Sequence, residues 1–355
     1  LILSINSSIM WQKDTPDSPS IQYSKVIFTA FDHLEEGLPA ITQAAEKAAL
    51  QLVSFGGRLL VSYMPEAPAS SNSFAIEAYF RSGGMKMKKY AKYGISRIDS
   101  GDVLLIDDLG LDTELRKAHI EQAREAGALV ILFGSASSSL STEADFLIDT
   151  GLLPGTAPSV QLDGLPRAIC PAAPTANITA LWMFTGELVA ACTRLGRMPA
   201  MFQSIIVPGG RDWLKKYSSV DFHAYITVDP VSPNLLGSAY LAEMRRCLQG
   251  LCDQVTSLQA GGEMLAATFR AGGIARVATL GHHLPGQFGL PGDPMRLDDS
   301  LTWNIQQEYD VPKLMEEIDQ GDALLLIGYF DYPPWNDWEP FREIGFPSIW
   351  VTGNR

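Results

Sequence analysis

The sequence predicts an α/β protein made of two tandem αβα sandwiches, each built on a parallel sheet, and three observations carry that expectation. Short apolar runs alternate with helical stretches of about ten to fifteen residues, the pattern of crossover βαβ units whose sheets are covered on both faces. The pattern then recurs: "SFGGRLLVSY" from Ser54 has a counterpart in "RAGGIARVATLG" from Arg270, "IDSGDVLLI" from Ile98 in "IDQGDALLLI" from Ile318, and "REAGALVILFGS" from Arg124 in "REIGFPSIWVTG" from Arg342. Three matches in order, all offset by about 216 to 220 residues, indicate a duplicated unit. Finally, 355 residues of which 46% are apolar and 19% charged supply enough core for two domains.

Taken in order, the first helix is marked by Leu38, Ile41, Ala45, Ala48 and Leu52 at helical spacing, and Gly56-Gly57 stops it. "RLLVSY" (58–63) reads as a strand, followed by a Pro/Ser loop to Ser73 and a helix "FAIEAYFRSGG". "DVLLID" (102–107) is a second buried strand. The helix "TELRKAHIEQAREAG" is closed by Gly127, and "ALVILFG" (128–134) and "DFLIDTG" are further strands. A long helix over 176–196 precedes a joint flanked by Pro208-Gly209-Gly210 and Asp229-Pro230, after which a helix starts near Ser232. The expected organisation is an N-terminal arm over 1–24, a first domain over 25–210, a linker over 211–231 and a second, shorter domain over 232–355. The first residues have neither an initiator Met nor a basic stretch, so they read as a cut or partly ordered end. The second copy stops after its third strand, through truncation or because that lobe is smaller.

Forty acidic against 27 basic residues, a net charge of −13, argue against a broad grip on nucleic acid or on an anionic membrane surface. No run approaches the roughly 18 to 20 apolar residues of a spanning helix. The four cysteines form no CxxC pair or Cys/His cluster, so no metal site, no cofactor and no disulfide framework is expected, and a reducing, cytoplasmic setting fits. A small-molecule partner is the expectation.

The stretch "DVLLIDDLGLDTELRKAHIEQAREAGALVILFG", with the later "SSLSTEADFLIDTG", resembles the sugar isomerase (SIS) family and its strand–Ser-x-Ser-Gly-x-Thr–helix pattern. The resemblance implies a flavodoxin-like sandwich per lobe, binding of a sugar or sugar phosphate at the carboxyl edge of the sheet, and a homodimer. The family's two serines fall at Asp107 and Leu109, its glycine at Gly110 and its threonine at Asp112. Carboxylates thus stand where hydroxyls would donate to a phosphate, and a dianion there would be repelled.

The expected ligand-binding set is Ser62, Ser70, Ser71, Ser73, Asp107, Asp108, Gly110, Asp112 and Thr113. Ser70, Ser71 and Ser73 open a helix, where hydroxyls and backbone N–H groups suit an anion, although a serine there also serves as a plain cap. Asp107, Asp108 and Asp112 suit sugar hydroxyls, an amine or a cation; alternatively Asp112 or Thr113 caps the helix and the other two are solvated. Since family members use a histidine for ring opening and a glutamate as base, the catalytic candidates are His282, His283 and Glu187, the last also readable as an ordinary helix position. The function expected is a sugar- or phosphosugar-binding protein of the SIS type, with aldose/ketose isomerisation as its catalytic form; the alternative is a non-catalytic regulatory or structural dimer partner.

Overall fold

The structure, a computed structural model, describes residues 18–65, 72–80, 83–90, 97–152, 158–166, 169–203, 208–280, 316, 318–319, 321–328 and 347–352. Helix α1 (Pro19–Glu36) opens where Ser18 accepts a bond from the Ile21 N–H at 3.4 Å and Pro19 fits the first turn. Its stripe Ile27, Ala30, Phe31 and Leu34 is buried, so the span expected as an arm already holds the first turns of a core helix. Helix α2 (Leu38–Ser54) buries Ala44, Ala45, Ala48 and Ala49, small side chains that let a neighbouring helix approach closely.

The first sheet is formed by β1 (Leu59–Ser62), β2 (Lys88–Tyr90), β3 (Val103–Asp107), β4 (Leu129–Gly134) and β5 (Phe146–Asp149). Helix α3 (Ser73–Phe80) follows β1, and α4 (Thr113–Ala126) follows β3. The order is β2-β1-β3-β4-β5 and every pairing is parallel. This is the flavodoxin-like order, in which the direction of strand addition across the sheet reverses between β1 and β3, the switch point at whose carboxyl ends such folds hold ligands. The strands are apolar throughout because both faces are covered. Val103 and Leu105 of β3 face the cluster that holds α1 and α2, whereas Leu104 and Ile106 pack on Ile120 and Ala123 of α4.

A short antiparallel pair, β6 (Pro158–Val160) and β7 (Ile169–Pro171), departs from the all-parallel expectation and leads into α5 (Ala173–Arg194). Helix α5 is buried on nearly every side, as a central helix should be. Helix α6 (Gly210–Tyr217) lies in the span expected as a linker. Two helices, α7 (Leu235–Cys252) and α8 (Val255–Arg270), precede the second sheet, β8 (Ala275–Leu280), β9 (Ala323–Gly328) and β10 (Ser348–Thr352), which pair in parallel in the order β10-β9-β8.

The two sheets share one loop geometry, which gives the recurring Ile-Asp-x-Gly-Asp a physical reason. Asp102 accepts from the N–H of Arg58 at 2.8 Å and of Asp99 at 2.9 Å and pairs with the Arg58 guanidinium. Asp322 accepts from the N–H of Ile274 at 2.8 Å and of Asp319 at 3.2 Å, and from Arg276 Nε at 3.0 Å. A Cβ on Gly57 would lie 1.8 Å from the Gly101 carbonyl oxygen, and one on Gly273 would lie 2.0 Å from that of Gly321. Among the described residues no helix is long and apolar enough to cross a membrane.

Candidate functional site

Sheets of this order hold ligands at the carboxyl ends of β1 and β3. On the β1 side Asn72 is bonded twice to Met64: its Oδ1 accepts from the Met64 N–H at 2.8 Å and its Nδ2 donates to the Met64 carbonyl at 2.7 Å. This sets Ser73, buried, at the first residue of α3. Ser70 and Ser71 lie outside the described residues. Ser62, the last residue of β1, is buried with its Oγ 2.8 Å from Nδ1 of His119 on α4. The Tyr90 ring meets that imidazole edge-on at 4.9 Å. Burial, seconded by the charge of Arg116, lowers the His119 pKa to about 4, so the ring is neutral at pH 7.

On the β3 side lies the β3–α4 loop, and its carboxylates are not offered to solvent. Asp107 and Asp108 are only 2% and 3% exposed. Arg116, on the first turn of α4 and fully buried, forms an ion pair with the Asp107 carboxylate and donates to the Asp107 carbonyl; its Nε donates to the Leu111 carbonyl at 3.1 Å. Burial pushes the Asp107 carboxyl up, against the pull of Arg116. Among the described residues, Asp107 Oδ2 is the one buried side-chain oxygen or nitrogen with no hydrogen-bond partner.

Asp108 turns back on its own loop. Its Oδ1 accepts from the Gly110 N–H at 2.7 Å, and the Ser138 hydroxyl donates to Oδ2. Asn177 on α5 donates to the carbonyls of Asp108 at 3.4 Å and Phe133 at 3.3 Å. A Cβ on Gly134 would lie 3.2 Å from that of Asp108, so β4 needs its closing glycine to make room. Gly110 has φ +69°, and Asp112 takes φ 52° at the N-cap of α4 without a side-chain cap bond. One expectation is thereby corrected: Asp107 and Asp108 are neither solvated nor presented outward, because Arg116, Gly110 and Ser138 bind them internally. Of the two cap candidates, Asp112 is the N-cap residue of α4, through its carbonyl, which accepts from the Arg116 N–H at 3.1 Å, and not through its side chain. Thr113 opens that helix, half-buried.

Glu187, expected as a base near the sheet edge, is fully buried on α5 and turned elsewhere. It accepts from the N–H groups of Asn234 and Gly237, both at 2.8 Å, and from the Thr42 hydroxyl at 3.1 Å, capping α7 from a neighbouring helix. His282 and His283 lie outside the described residues. Sequence reasoning missed Arg116 and His119. The signal was there: Arg116 shares the buried face of α4 with Ile120 and Ala123, and a charged residue in such a stripe requires an inward partner. Among the described residues no group of three His, Cys, Asp or Glu side chains could hold a metal ion.

The arrangement offers a neutral imidazole beside a hydroxyl, a loop whose carboxylates and cation are already paired with one another or with neighbouring groups, and a pinned helix start. Such a loop is ill suited to a phosphate. No protein-family model and no curated protein matches the chain. Solved structures do: a protein from Salmonella typhimurium LT2, provisionally named a sugar binding protein, superposes with a TM-score of 0.52 at 11% identity, over 92% of this chain and 85% of that one. A protein from Clostridium difficile 630, provisionally named a phosphosugar isomerase, superposes with a TM-score of 0.51 at 6% identity, over 95% and 84%. The chain therefore has, over more than nine-tenths of its length, the fold of the SIS proteins that its sequence resembles.

Proposed function

We propose that the chain binds a sugar or sugar derivative in the crevice between β1 and β3, and that its β3–α4 loop takes no part in holding a phosphate. The observation that carries this reading is the buried Asp107–Arg116 pair: the Arg116 guanidinium beneath the loop is neutralised from within, and Asp108 takes the Gly110 N–H that an anion would otherwise use. The start of α3, with Ser73 as its first residue, supplies N–H groups for a carbonyl or hydroxyl oxygen of such a ligand. The names of the two structural neighbours point to the same ligand class.

The test is calorimetric titration of the full chain with hexoses, heptoses and their phosphates. Saturable binding is expected, weakened at least about tenfold by Ser73→Trp, which fills the crevice at the start of α3. Binding that is indifferent to Ser73→Trp overturns the location, and no binding to any of these sugars overturns the ligand class.

A second reading is favoured by the neutral His119 beside Ser62: proton transfer between adjacent sugar carbons, with His119 as the mobile-proton group. It predicts solvent deuterium entering C2 of a bound sugar, lost in His119→Gln. A chain that binds without exchange supports the binding protein alone.

A further inference from the structure

Away from the sheet edge, α1, β7, α7 and α8 surround a cavity of about 350 Å³. Tyr23, Leu248, Leu251, Val255 and Leu258 form much of its wall, and among the described residues no side chain lining it carries a formal charge. Its polar groups are already turned to partners: the Tyr23 hydroxyl lies 2.9 Å from that of Thr175, and the Ser24 hydroxyl donates to the Ser20 carbonyl at 2.8 Å. What faces the hollow is hydrocarbon and sulfur.

The hollow arises at a corner. Helix α7 ends at Cys252 and α8 begins at Val255, so Leu251 and Leu258 flank the turn and stay 47% and 43% exposed. The hollow opens to solvent, and its volume lies at the lower end of the roughly 300–1,000 Å³ that small-molecule sites hold. A stable protein partner would need about 1,000 Å² of complementary surface, far more than two leucines beside a pocket provide. Cys170, also on the wall, holds φ 60°, a left-handed conformation unusual for a side chain of its kind and of the sort that collects at ligand sites.

We propose that this cavity binds the hydrocarbon part of a small, uncharged lipophilic molecule, at a site separate from the crevice between β1 and β3. The uncharged lining among the described residues selects against ions, and the concave shape selects a ligand of ring or short-chain size.

The probe is N-phenyl-1-naphthylamine, a neutral lipophile whose fluorescence rises in apolar surroundings, titrated into the full chain. The expected result is a saturable one-to-one rise. Val255→Trp, which fills the hollow, and Leu258→Glu, which changes an exposed residue and spares the fold, should each weaken it at least about tenfold. In a chain with Cys170 and Cys247 changed to serine, bound probe should slow alkylation of Cys252 by N-ethylmaleimide at least about fivefold. A rise that does not saturate, or one that both variants and the Cys252 readout leave unchanged, overturns the proposal. A self-association that Leu258→Glu abolishes and that excludes the probe also overturns it, assigning the corner to a contact between copies.

Discussion

Arg116 determines what the β3–α4 loop can do. A fully buried guanidinium needs a counter-charge, and Asp107 supplies it from the last position of β3. Removing one partner leaves the other charged and unsolvated, so Arg116→Met should lower stability by about 3–5 kcal/mol in urea unfolding, and the double change with Asp107→Leu should recover most of that loss. His119 gives a pH signature. Its folded pKa of about 4 lies below the ordinary 6.5, so the unfolded chain takes up the proton first. Stability should therefore fall as pH drops from 6.5 towards 4, by on the order of 2 kcal/mol, and His119→Gln should flatten that part of the profile. Glu187→Ala removes the cap on α7 and should cost about 1–2 kcal/mol while leaving sugar affinity unchanged.

At the scale of the element, the loops around Asp102 and Asp322 form one device used twice. Each aspartate would have its pKa raised by burial, but the arginine and the backbone N–H groups outweigh this and hold it below the usual carboxylate range. A depressed folded pKa stabilises above the unfolded value near 3.8 and is lost as pH falls through the folded one, so Asp102→Asn and Asp322→Asn should each blunt acid unfolding. Gly57→Ala and Gly273→Ala should each be severely destabilising, by roughly 3 kcal/mol or more in urea unfolding, because the carbonyl in the way belongs to the backbone. These loops were readable from the repeat because glycine and aspartate there are fixed by geometry. β1, β3 and β4 were readable because glycine punctuates their apolar runs. Other elements were not. The short β2, Lys88–Tyr90, is marked by two lysines, and the start of α1 lies behind a Pro/Ser/Asp stretch that reads as an arm. The loop carboxylates were read as exposed because sequence shows their charge but not Arg116 folding back beneath them.

At the scale of the molecule, neighbours of 6% and 11% identity share this fold because burial pattern and strand order survive where side-chain chemistry does not. The fold fixes where a ligand crevice lies; the loop residues decide what it accepts. Here the loop's carboxylates hold its own cation, so sugar recognition should be nearly blind to a phosphate. The most direct measurement is the ratio of affinities for a hexose 6-phosphate and the same hexose, by calorimetry, in the natural chain and in one carrying Asp107→Ser, Leu109→Ser and Asp112→Thr. These changes remove the carboxylate that pairs with Arg116 and return hydroxyl donors to the loop. The account predicts a ratio within about tenfold for the natural chain and a rise of at least about tenfold in the triple variant. A natural chain that already prefers the phosphorylated sugar by roughly a hundredfold or more would contradict it.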